Sequence, residues 1–224
     1  MLDLIAPGIW HAQRGLSVAG IPMTSRMTVV RLAGGGLWLH SPIRLDDDLR
    51  AELDALGPVR YIVAPNLVHH LFAKKCLAMY PQARLFGAPG LAAKRPDVTA
   101  METLAPGAQP EWDADLAQVF IGGVPVVNET AFLHRASGSA IFTDVCQMWS
   151  GPLDWKAALF GRLAGVRRRL AVPRTVRFMV KDKAAFRASA QQILAWPVQR
   201  VLVAHNSIVE ADAHAALAKA LGAV

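Results

Sequence analysis

The sequence predicts a single α/β domain spanning residues 1–224, and two observations carry that reading. Short apolar, β-branched runs alternate with helical periodicities, and one stretch reads strand, turn, helix, strand, the order of a βαβ unit. Hydrophobic residues make up 53% of the chain and charged residues 18%, which supplies a substantial core and excludes a disordered polypeptide. No segment approaches the ~20 apolar residues of a membrane span. No linker or repeat divides the chain.

Ile9–Gln13 and Met27–Leu32 are β-branched and apolar, and Gly34–Gly36 turns the chain into Leu37–His40, a hairpin. Asp46–Leu56 opens with acids and closes at Gly57, the punctuation of a helix. Val59–Ala64 suits a buried strand that stops at Pro65-Asn66, and Leu67–Tyr80 continues at helical spacing. Arg84–Gly87 resembles the parallel strand that completes a βαβ unit. Further on, Gln118–Ile121, Val124–Val127, Thr130–Arg135 and Ser139–Thr143 read as a meander. Helices are expected over Trp149–Leu170, Lys181–Trp196 and Glu210–Leu221, with a strand at Val198–Ala204.

Catalytic groups on α/β sheets gather just past the carboxyl ends of strands. His69 and His70 follow Val59–Ala64, Asp144 follows Ser139–Thr143, and His205 follows Val198–Ala204. Imidazole and carboxylate are ligands for zinc, iron or manganese. Taken singly, each also has a structural reading, as a bonded loop histidine or a helix cap; the shared placement distinguishes them.

These residues and the order of elements resemble the metallo-β-lactamase superfamily, a four-layer αββα sandwich. Its H-x-H-x-D-H signature, laid over APNLVHH, puts Pro65 and Leu67 at the first two histidines, His69 at the aspartate and His70 at the last histidine. Asp144 in IFTDV matches the aspartate of its L-F-T-G-D segment, and His205 in LVAHN its final histidine. The P-N-x-x-H-H-L-F and T-D motifs resemble most closely the domain of unknown function 4336 family. The resemblance implies one divalent metal ion in place of two, zinc first and iron or manganese as alternatives, held by His69, His70, Asp144 and His205. It further implies a catalytic assisting role for Glu129, as an extra ligand or base, and for His40, which stands where the superfamily ends its second strand with an aspartate. Core packing is the alternative for His40, a surface acid the alternative for Glu129.

The function expected on this basis is that of a mononuclear metal-dependent hydrolase-like protein; the alternative is a catalytically inactive binding or scaffold protein on the same fold. The net charge of +7, concentrated in Arg162–Lys183, points to an anionic small-molecule substrate. Without an aromatic platform or recognition motif it does not point to nucleic acid. Trp149, Trp155 and Phe160, with the Arg-rich segment, are candidates for a lid or a homodimer face, core packing being the default reading. Cys76 and Cys146, far apart, and a first segment without a basic head and apolar block predict a cytoplasmic protein with no membrane association.

Overall fold

The computed structural model describes residues 1–224 and arranges its strands in two sheets. The first holds β1 (Asp3–Ala6), β2 (Ile9–Val18), β3 (Ile21–Arg31), β4 (Leu37–His40), β5 (Val59–Ala64), β6 (Arg84–Gly87) and β7 (Met101–Thr103), bonded in that order. The second holds β8 (Leu116–Phe120), β9 (Thr130–His134), β10 (Ser139–Phe142), β11 (Arg200–Val203) and β12 (Ile208–Val209), bonded in the order β12-β11-β10-β9-β8. The helices are α1 (Asp47–Leu56), α2 (Ala73–Met79), α3 (Leu91–Lys94), α4 (Trp155–Ala164), α5 (Arg174–Phe178), α6 (Lys183–Leu194) and α7 (Ala213–Leu221).

The alternation of side chains along each strand builds the layers. Val30, Trp38 and Val63 of the first sheet meet Phe132, Ile141 and Leu202 of the second in one inner cluster. The intervening Val29, Leu37, Leu39 and Ile62 face the other way, onto Leu49 and Leu53 of α1 and Cys76 of α2. Ala140, Phe142, Val201 and Val203 likewise pack on Phe186 and Ile193 of α6 and Leu217 of α7. Both faces of each sheet are therefore apolar, and the result is the expected four-layer αββα sandwich. Trp38 sits edge-on to Phe132 at 4.9 Å, an aromatic contact that contributes about 1 kcal/mol beyond its burial.

Strands β4, β5 and β6 run parallel, as do β10 and β11, with His40 opposite Val63 and Phe142 opposite Val203. Their carboxyl ends therefore share one edge of the sandwich, where the loops after β4, β5, β10 and β11 open.

Several expected elements change. The Leu67–Tyr80 helix is confined to Ala73–Met79, because the Asn66 side-chain oxygen accepts from the backbone of Val68 and His69 and folds the preceding segment into a turn. Val124–Val127 is a turn, with Val127 and Asn128 N–H both donating to the Val124 carbonyl. The Trp149–Leu170 helix begins only after its Asp154 cap and stops at Gly165, in the left-handed conformation. The chain then returns to bridge Ala171 to Gln147. The expected hairpin across Gly34–Gly36 forms between β3 and β4, and a second, longer one, not expected, joins β2 to β3 through Val18 and Ile21.

Candidate metal centre

Three of the expected side chains converge. His69 Nε2 lies 3.2 Å from His205 Nε2 and 3.4 Å from Asp144 Oδ2, and His205 Nε2 lies 3.4 Å from Asp144 Oδ1. Each is held from behind. The Thr24 carbonyl accepts from His205 Nδ1 at 2.8 Å, which leaves Nε2 with a lone pair facing the cluster. His69 Nδ1 meets the Ser41 hydroxyl at 2.7 Å, which orients the second imidazole in the same way. Asp144 Oδ2 accepts from Asn66 Nδ2 at 2.7 Å.

Asn66 is fully buried and joins the loops. Its oxygen shapes the turn that carries His69, while its amide reaches Asp144 and Thr143 Oγ1. On the other side, Arg26 is a buried cation that donates to the carbonyls of Val203 and Asn206, while its own N–H bonds the Ala204 carbonyl. It locks the turn after β11 to the β2–β3 hairpin. Burial lowers its pKa to about 10, so it stays charged at neutral pH.

Burial alone would raise the Asp144 carboxyl, but His69 and His205 outweigh it and hold the group well below its ordinary range. Burial would lower His205, yet the Asp144 carboxylate prevails and moves it up. Three electron-pair donors thus face one another in a buried corner, an arrangement that requires a proton or a cation among them. The separations test which cation fits. Zinc bonds of about 2.0–2.1 Å in a tetrahedron set neighbouring donors about 3.3–3.4 Å apart. An octahedral magnesium site would set them at about 2.9 Å. Two imidazoles and one carboxylate at these spacings could hold a divalent ion such as zinc.

The remaining expected residues have other positions. His70 is not part of the cluster: one residue past His69 it turns the other way, and its Nδ1 accepts from Arg95 at 2.9 Å. Burial, with Lys94 and Arg95 beside it, lowers its pKa. Glu129 is neither a surface acid nor one of the converging donors. It is fully buried, and its oxygens accept from the backbone N–H groups of Thr143 (2.7 Å), Asp144 (2.7 Å) and Val145 (3.0 Å). Occupied in this way, the carboxylate holds the loop on which Asp144 stands. Burial and then the Asp144 charge raise its pKa. His40 is buried between Trp38 and Phe132, and its Nε2 has no hydrogen-bond partner, so it orients no other imidazole. The orienting group is its neighbour Ser41. Asn66, Ser41, Thr24 and Arg26 were missed from the sequence; only Asn66 carried a signal there, as the second residue of the Pro-Asn turn.

Trp149 is buried beside the cluster, its ring 6.3 Å from that of His205 and 5.1 Å from Phe160, whereas Trp155 is exposed on α4. The basic segment turns much of its charge on the backbone: Arg167 donates to the carbonyls of Trp149 and Gly151, Arg169 to that of Gly165 and Arg174 to that of Leu163. No helix is long and apolar enough to cross a membrane.

This architecture is that of the metallo-β-lactamase fold, and solved structures agree. A metallo-β-lactamase from Pontibacter korlensis superposes with a TM-score of 0.66 at 12% identity, covering 99% of this chain and 98% of that one. One from Erythrobacter litoralis gives 0.66 at 15% identity over 100% and 96%. FIM-1 from Pseudomonas aeruginosa, in its mono-zinc form, gives 0.63 at 11% identity over 100% and 95%. Within that fold, residues 7–150 match the family described as Domain of unknown function (DUF4336), and the chain belongs to it. No curated protein matches the sequence.

Proposed function

We propose that the protein is a mononuclear zinc-dependent hydrolase of a small-molecule carbonyl compound, with His69, Asp144 and His205 as the ligands. The observation that carries this reading is the triangle of donor atoms at 3.2, 3.4 and 3.4 Å, each backed by a second bond that aims it inward. A divalent ion there supplies Lewis acidity, polarising a substrate oxygen and lowering the pKa of water. The chain's own residues set the stage: Ser41 and Thr24 fix the imidazoles, Asn66 and Glu129 fix Asp144, and Trp149 screens the corner from bulk water. His69, Asp144 and His205 would hold the ion with three protein donors, the number used by catalytic zinc sites where closed structural sites use four. The mono-zinc form in which FIM-1 was crystallised supports one ion on this fold. The two free, buried thiols, Cys76 and Cys146, support a cytoplasmic setting.

Metal analysis of the purified protein tests the proposal. One equivalent of zinc is expected in the wild type and in His70→Ala, with loss in Asp144→Asn and His205→Ala while far-ultraviolet circular dichroism stays native. Retention of zinc by His205→Ala would rule this centre out.

A second reading, a binding protein without turnover, is favoured by Pro65 and Leu67, which offer no ligand where two-ion relatives place histidines. Zinc-dependent hydrolysis of any member of a panel of esters, thioesters, lactams and phosphodiesters eliminates it.

A further inference from the structure

We propose that the cavity above the three donors takes a neutral acyl ester or thioester whose apolar chain lies along its walls; this rests on the metal-centre reading. The cavity encloses about 450 Å³, the size of a small-molecule site. Leu16, Met23, Leu71, Phe72, Phe160 and Met179 form much of its wall. His69, Asp144 and His205 are its only ionisable lining residues, and neither lysine nor arginine borders it. Among its polar lining, Ser41 stands beside His69 and Gln147 beside Asp144. The cavity therefore matches a molecule with a polar reacting group and an apolar tail.

A second observation is independent of the cavity's shape. Val18, Val68, Leu71, Val126 and Met179 all border the cavity, and all are more than a third exposed, Leu71 by 62%. Apolar side chains gathered in water around one opening mark a binding surface, and each loses its contact with water when a chain enters. Arg167, Arg169 and Arg174 are engaged with backbone carbonyls, and Arg44 and Lys75 line a neighbouring pocket that shares Leu16, Ser25 and Phe72 with this one, so no cationic side chain stands on the cavity wall itself. A charged tail along these walls, away from the three donors, would lose hydration without meeting a counter-charge. The anionic substrate expected from composition gives way to one whose tail is uncharged. Hydrolysis there joins a water oxygen to the acyl carbon, breaks the acyl carbon–oxygen or carbon–sulfur bond, and passes the water's proton to the departing alcohol or thiol.

Displacement of Nile red from the full-length protein by a series from 1-butanol to 1-decanol reads the cavity directly, with and without zinc. Affinity is expected to rise roughly fourfold per added methylene. Leu71→Glu should weaken 1-octanol at least about tenfold with zinc content unchanged. Leu163→Glu, equally exposed but outside the cavity, should change neither. With zinc loaded, turnover of p-nitrophenyl esters should climb from acetate to octanoate. Equal affinity across the alcohols, or displacement by inorganic phosphate ahead of 1-octanol, overturns the inference and leaves the metal centre standing. Protein that takes up no zinc yet keeps the chain-length series refutes the metal centre and supports the assignment of the cavity.

Discussion

Replacing Glu129 with glutamine is expected to loosen the loop that carries Asp144 and to weaken metal binding with it. The carboxylate accepts three backbone N–H groups, one on Oε1 and two on Oε2, and is fully buried. An amide has one oxygen. Its best orientation keeps Asp144 and Val145 satisfied and turns an NH₂ group toward the Thr143 N–H, leaving one buried donor unpaired at about 1–3 kcal/mol. The two surviving bonds fall from charge-assisted to neutral strength, a further ~1 kcal/mol each. Relief of carboxylate desolvation offsets part of this, so a net loss of about 2 kcal/mol is expected. Because the released N–H belongs to Thr143, next to Asp144, and the bond to Asp144 itself weakens, zinc affinity should fall about 10- to 100-fold. Urea unfolding of the chelator-treated protein gives the first number, and competition with a chromophoric chelator gives the second. A variant within about 0.5 kcal/mol of wild type, with unchanged zinc affinity, would refute the clamp.

Asn66→Ala removes the turn-forming oxygen and the amide that reaches Asp144, and should lower stability by about 2–4 kcal/mol in the same titration; a loss below about 1 kcal/mol would show the loop to be held by other contacts. His40, with its pKa lowered to about 3 by burial and then by His69, must remain neutral in the folded protein. Stability should therefore fall as pH drops below the unfolded value of about 6.5, by about 2–3 kcal/mol at pH 4.5. His40→Phe should remove most of that acid-dependent loss, and an unchanged pH profile in chelator would discount the argument. Gly123→Ala would bring a Cβ within 2.0 Å of the Asp182 carbonyl at a positive φ, so a loss of about 3 kcal/mol is expected; near-neutral stability would mean that this turn can shift.

The parts legible in the sequence were those set by local pattern. Val59–Ala64 and Arg84–Gly87 were bounded as they occur, because continuous apolar runs between turn residues have few other destinations. Asp144 and His205 were legible as residues just past strand ends. What the sequence could not reveal depends on partners remote along the chain. His69 and His70 are adjacent and chemically identical, and only the Asn66 turn and Arg95 decide which one faces inward. Glu129 was visible as an acid before a strand, but its burial depends on N–H groups fourteen to sixteen residues further on. Ser41 and Thr24 are ordinary hydroxyl residues until the fold sets them behind imidazoles 28 and 181 positions away.

That last distance bears on how the molecule comes to maturity. His205 is aimed by the carbonyl of Thr24, and its turn is tied down by Arg26, so the first hairpin must wait for nearly the whole polypeptide before either contact forms. During synthesis His69 and Asp144 emerge first, a two-pronged and weak ion trap. Under the proposed metal centre, full affinity would arrive only with the final strands, so tight ion capture would be a late sign that remote parts of the chain have met.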